Sequence, residues 1–137
     1  MTDFKFSIPM TVRINDLNYA NHVAHQQFFS YFQEARMAYL RQFNWTELDI
    51  DGFGMIMTEA NCKYKRQLFY GDRIQVACNI SELKPKQFNM LYEIKKSGIV
   101  CAEGFTANHI FDYKVAKIVS LPENFVKTVA EFEGLPF

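Results

Sequence analysis

Hydrophobic and polar positions change their period along the chain. From Phe4 to Ile14 the apolar residues fall at alternate positions, Phe4, Phe6, Ile8, Met10, Val12 and Ile14, the two-residue repeat of a strand with one buried face. Pro9 lies inside this run and cannot donate to a ladder, which predicts a sheet edge or a bulge. The period then lengthens. Phe28, Phe32, Ala35, Tyr39 and Phe43 recur at helical spacing and predict a helix over Ala24 to Phe43 with one apolar stripe.

Beyond the helix the pattern shortens again. Asn44 to Gly54 is polar and glycine-containing, a connecting loop with a short helical turn from Thr46. Met55 to Gln67 reads as a long strand, followed by a turn at Gly71. Ile74, Val76, Cys78 and Ile80 alternate with polar or small residues, and so do Phe88, Met90, Tyr92 and Ile94 after a break at Lys84-Pro85-Lys86. Ser97-Gly98 supplies a hairpin turn into a strand from Ile99 to Phe111. Strands this long, joined by tight turns, pair as an antiparallel meander. A short strand, Lys117 to Leu121, stops at Pro122, and Asn124 to Glu133 is read as a terminal helix capped by Asn124. The expected class is α+β, an antiparallel sheet wrapped around one long central helix.

Composition narrows this picture. With 137 residues, 49% of them hydrophobic, the chain suffices for one well-filled domain, read as residues 1–137. Fifteen basic residues balance fifteen acidic ones, so there is no electrostatic footprint for nucleic acid or for an anionic membrane. No apolar run is long enough to span a bilayer, and Met1 to Lys5 lacks the apolar core of a secretory signal, which gives a cytoplasmic expectation. Cys62, Cys78 and Cys101 are odd in number and widely spaced. They are read as buried free thiols rather than as a disulfide frame or a metal site.

The chemistry concentrates where the first strand gives way to the helix. The segment Asp16-Leu17-Asn18-Tyr19-Ala20-Asn21-His22 is polar and turn-like, and it feeds the helix without a Pro or Gly. The first turn of a helix leaves backbone N–H groups unpaired, and these can hold a developing oxyanion. Asp16 and Asn18 are two residues apart and share a face if the strand continues that far; Asp16 otherwise caps local amides. His22 is the residue whose ordinary pKa suits a base near neutrality, or else it shapes the loop. Glu59 interrupts the apolar run from Met55 to Ala60, where a carboxylate calls for a pocket, a partner or an exposed face.

This order of elements, with Asp16 to Arg36 ending in Glu34-Ala35-Arg36, and with Tyr64-Lys65-Arg66 followed by Gly71-Asp72, resembles the hotdog-fold thioesterases of the 4-hydroxybenzoyl-CoA thioesterase type. The similarity extends to long-chain acyl-CoA and plant acyl-ACP thioesterases and covers about residues 8 to 122. It implies hydrolysis of an acyl-CoA thioester, or of an acyl carrier protein thioester, in a homodimer or dimer of dimers with the active site between subunits. Coenzyme A would enter as part of the substrate, with no further cofactor and no metal. The family's catalytic Asp falls on Asn18, the amide that polarises the thioester carbonyl on His25, and the His of the acyl-ACP and long-chain members on His22. The Glu and Cys of the plant enzymes fall at about Gln67 and Leu68. Tyr19 is expected at the acyl pocket, and Lys63, Lys65 and Arg66 near the phosphates. An amide at position 18 cannot act as a base or strong nucleophile. Asp16, His22 or Glu59 must therefore supply the base, or the protein binds acyl thioesters without hydrolysing them.

Overall fold

Helix α1, Gln27–Arg41, lies across one face of an antiparallel sheet whose strands are β1 (Ser7–Thr11), β2 (Gly54–Tyr64), β3 (Arg73–Leu83), β4 (Phe88–Lys96), β5 (Ile99–Asp112) and β6 (Lys117–Val119). A second helix, α2 (Glu123–Glu133), closes one end. The computed structural model describes residues 3–136. The strand order is β1-β3-β4-β5-β2, with β6 paired to the end of β5, so the expected meander is β3-β4-β5. The chain reaches both edges by non-sequential pairing: β1 joins β3, and β2 joins β5. Pro9 sits on the edge strand β1, where a missing N–H costs least.

The expected stripe of α1 faces the sheet. Phe28, Phe32, Ala35 and Tyr39 are buried and Phe43 is half-buried beyond the helix end. Arg36 and Tyr31 are buried too, which a stripe read from apolar spacing misses. Phe32 stacks on Tyr92 of β4 with centroids 4.8 Å apart, and directly beneath the ring lies Gly104 of β5. A Cβ at Gly104 would overlap the Phe32 ring, at 2.6 Å from Cζ and 3.0 Å from Cδ2, so only glycine lets the helix settle this close. Arg36 donates to Glu47 at 2.7 Å and to the Tyr92 hydroxyl at 3.0 Å, tying α1 to the following loop and to β4. An antiparallel sheet carrying one buried central helix is the hotdog arrangement, and the α+β expectation stands.

Several boundaries differ from the sequence reading, each for a local reason. The first strand ends at Thr11, because Val12 turns its N–H to Asp72 and Ile14–Asp16 closes a 3-10 turn. Helix α1 starts at Gln27 rather than at Ala24. Around Thr46 the loop forms two tight bridges, Thr46 to Asp49 and Ile50 to Phe53, instead of a helical turn. Asn124 does not cap α2. The N-cap is Pro122, and the Asn124 amide donates to Asp51. No helix among the described residues is long and apolar enough to cross a membrane.

Candidate active site

The polar segment folds into a closed loop at the N-terminus of α1. Asn18 N–H donates to the His22 carbonyl at 2.9 Å and Asn21 N–H to the Asn18 carbonyl at 3.0 Å, with Asn21 in the left-handed region at φ 66°. The loop is fastened at both ends: Ala24 N–H donates to Asp16 and Val23 N–H to Leu68. It faces a cleft of about 400 Å³ lined by Asn18, His22, Val23, His25, Phe28 and Tyr64, together with residues 65–67.

Each side chain here has a definite hydrogen-bonding sense. Asn18 Oδ1 accepts the Ala20 N–H at 2.9 Å, and its NH2 group, with no protein partner among the described residues, is the donor it can offer the cleft. His22 Nδ1 lies 3.2 Å from the Val23 carbonyl, and since a carbonyl only accepts, Nδ1 carries the proton. The Nε2 lone pair is then available to take one. No side chain caps α1, and among the described residues the N–H groups of His25 and Gln26, just before its first turn, find no protein acceptor. A free imidazole nitrogen, an amide NH2 and an open helix terminus thus share one cleft.

Of the other residues singled out from sequence, Lys65, Arg66 and Gln67 line the cleft and the rest lie elsewhere. Asp16 belongs to the 3-10 turn, not to a continuing strand, so it does not share a strand face with Asn18. Its carboxylate is buried and accepts the Arg13 N–H at 3.0 Å and the Tyr31 hydroxyl at 2.8 Å; it caps and props the loop. Burial, and next the bond to Asp16, push the Tyr31 phenol above its ordinary range, so Tyr31 stays a donor.

Glu59 is displaced by a bulge. Between Met57 and Glu59 the β2 register slips, leaving Thr58 unpaired and setting Glu59 opposite Ala107. From there Glu59, Asn61 and Lys63 share one face, while Ala60, Cys62 and Tyr64 share the other. Tyr64 packs edge-on against Phe28 of α1 at 4.9 Å, so the Glu59 face is the one turned away from helix and cleft within the chain. Lys63 goes with it, onto an outer groove beside Phe4, Leu91 and Glu103. Lys65 pairs with Glu103 at 2.8 Å. Arg66 is exposed, lines both the cleft and a neighbouring groove, and its guanidinium has no protein hydrogen-bond partner among the described residues. Tyr19 stands fully exposed at the loop tip.

Of the positions aligned with the plant enzymes, Leu68 is buried and gives its carbonyl to Val23, whereas Gln67 lines the cleft. All three cysteines are free, and burial pushes the Cys62 thiol up to about 11, which leaves it protonated near neutrality. His109 donates from Nδ1 to the Lys86 carbonyl at 2.7 Å and faces Thr58 at 3.1 Å, remote from the cleft. Sequence reasoning missed Tyr64 as part of the site, since its contact with the helix start joins residues 39 apart.

The thioesterase-like superfamily model matches residues 12–129. A protein of Aquifex aeolicus (strain VF5) named "Putative esterase" is 32% identical over 111 residues, 80% of this chain and 85% of that protein. Among solved structures, a thioesterase from Thermus thermophilus complexed with coenzyme A and Zn superposes with TM-score 0.85 at 23% identity, covering the whole of both chains. A 1,4-dihydroxy-2-naphthoyl-CoA thioesterase from Synechocystis gives TM-score 0.84 at 21% identity, over 93% of this chain and 97% of that one. At those identities the two structures speak to the fold alone, but the family model spans most of the chain: the protein belongs to the thioesterase-like superfamily.

Proposed function

We propose that this protein hydrolyses an acyl-CoA thioester to free acid and thiol, as an enzyme of the 4-hydroxybenzoyl-CoA thioesterase type. The observation that carries the reading is the cleft at the open end of α1, where the uncapped His25 N–H meets His22 with its Nε2 free. The thioester oxygen lies on the His25 N–H, with the Asn18 NH2 holding either that oxygen or the attacking water. His22 Nε2 takes a proton from water as the water oxygen bonds to the carbonyl carbon. The tetrahedral oxyanion then collapses, the C–S bond breaks, and His22 returns the proton to the leaving thiolate. No acyl-enzyme is required, which suits a site whose residue 18 is an amide.

Several features agree with this reading. Phe28 and Tyr64 give the cleft an aromatic wall for a short or aromatic acyl group. Arg66, which lines the cleft and the groove beside it, is our candidate for meeting a phosphate. Strand β2 ends the sheet with a free edge and an exposed Met57 and Tyr64, the kind of surface a second copy covers in a homodimer or dimer of dimers. The substrate brings coenzyme A, or a carrier protein's equivalent arm, and the setting is cytoplasmic, without nucleic acid or membrane.

A second reading has its own support: position 18, where the family's acid falls, carries an amide that cannot take a proton, as in a protein that binds acyl thioesters without turning them over. Thiol release measured across a panel of aryl and aliphatic acyl-CoAs separates the two. Turnover above buffer supports the enzyme. Saturable binding without turnover, with hydrolysis appearing in Asn18→Asp, supports the binding protein.

A further inference from the structure

We infer that Tyr64 is a positioning residue for a two-amide oxyanion hole formed by the N–H groups of His25 and Gln26; this rests on the thioester-hydrolysis reading above. The Tyr64 hydroxyl donates to the His25 carbonyl at 2.9 Å. That carbonyl has little other support. Its bond within the helix start, from Phe28 N–H, is long at 3.4 Å, and no side chain caps the terminus. A trans peptide is planar, so the His25 carbonyl and the Gln26 N–H point in opposite directions from one rigid unit. Fixing the oxygen fixes the hydrogen.

The direction of the bond matters as well. Hydrogen bonding to a peptide oxygen polarises the unit and makes its N–H a stronger donor. The preceding peptide is held in a similar way, because the Ala24 carbonyl accepts the Gln27 N–H at 2.9 Å, and its N–H is that of His25. The two adjacent N–H groups without protein acceptors are therefore each set by a hydrogen bond on the far side of their own peptide. One of those bonds is a local turn, three residues long, at the entry to the helix. The other reaches from the end of β2, 39 residues away in sequence.

Tyr64 is itself well placed to hold its phenol there. Its ring stands edge-on to Phe28 at 4.9 Å, and the next two backbone N–H groups, those of Lys65 and Arg66, both donate to the Cys101 carbonyl. The ring contact survives in Tyr64→Phe and the hydroxyl bond does not, so this variant isolates the positioning role.

The test is Tyr64→Phe assayed on the acyl-CoA that the wild-type protein turns over fastest, with its Gln26 amide resonance recorded without ligand by nitrogen-15 NMR. The expected result is kcat lower by about tenfold, the scale of one aligned oxyanion donor weakened rather than removed. KM stays within about twofold, and the Gln26 resonance moves while those of residues 30 to 36 do not. Unchanged kcat, a loss carried wholly by KM, or a Gln26 resonance that does not move would overturn the inference. A wild-type protein that hydrolyses no acyl-CoA refutes the parent reading instead, and the Gln26 resonance then still decides whether Tyr64 sets that peptide.

Discussion

Gly104→Ala probes the seat of the central helix. The added methyl would lie 2.6 Å from Phe32 Cζ and 3.0 Å from Cδ2, where carbon atoms ordinarily rest about 3.5–4.0 Å apart. The Phe32 ring would have to withdraw by about 1 Å from that position. It has little room, because its other neighbours are the stacked Tyr92 ring at 4.8 Å and Phe29 edge-on at 6.0 Å. Tyr92 is pinned in turn by hydrogen bonds to Arg36 and Thr106. Overpacking of this kind costs about 1–3 kcal/mol. With the ring confined on both sides the upper part of that range, about 2–3 kcal/mol, applies; replacing a strand glycine returns about 0.5–1 kcal/mol of backbone entropy, which leaves a net loss of about 1–2.5 kcal/mol. For a chain of this size that lowers Tm by about 3–10 °C. Thermal unfolding followed by circular dichroism, on wild type and variant side by side, reads the difference. An unchanged or raised Tm would refute the packing argument and, with it, the claim that α1 is held at a fixed height over the sheet.

Three further outcomes follow from individual contacts. Arg36→Leu removes a buried guanidinium whose charge burial opposes but Tyr92 and Glu47 sustain. It leaves Glu47 without its charged partner, with only the Gln33 amide to donate to it, and lowers unfolding free energy by about 2–4 kcal/mol in urea titration, since Glu47 retains some solvent. Glu59→Gln leaves kcat within about twofold in a thiol-release assay, because the β2 bulge turns Glu59 to the face away from the cleft. Asp16→Ala strands the Arg13 amide and the Tyr31 phenol, costs about 2–3 kcal/mol in the same titration, and weakens the fastening of the loop that carries Asn18 and His22.

Much of this protein is legible in its sequence, and what is not shares a cause. The α1 stripe can be read because Phe28, Phe32, Ala35 and Tyr39 keep one period, and the β3-β4-β5 meander because alternation and the Ser97-Gly98 turn agree. Arg36 is hidden because a charged residue reads as solvent-facing unless its long-range partners are known, and Glu47 and Tyr92 are 11 and 56 residues away. The face that Glu59 occupies is hidden for a sharper reason: one extra residue at Thr58 reverses the parity of everything after it, and alternation carries no sign of the slip. The loop at Asp16 to His22 announces itself by its polarity and its place before the helix. Its internal arrangement, with Asp16 propping, Asn18 Oδ1 accepting from Ala20 and His22 Nδ1 on the Val23 carbonyl, needs the directions of individual hydrogen bonds.

The central claim is that His22 works as the base beside an open helix terminus. The measurement that tests it most directly is the initial rate of thiol release from the best acyl-CoA substrate, compared between wild type and His22→Gln. Glutamine can still offer a donor toward the Val23 carbonyl but cannot take a proton near neutrality. The account predicts turnover by the wild type and a loss in kcat of about 10²–10⁴-fold in the variant, the range of one general base. Equal rates in the two proteins would contradict it.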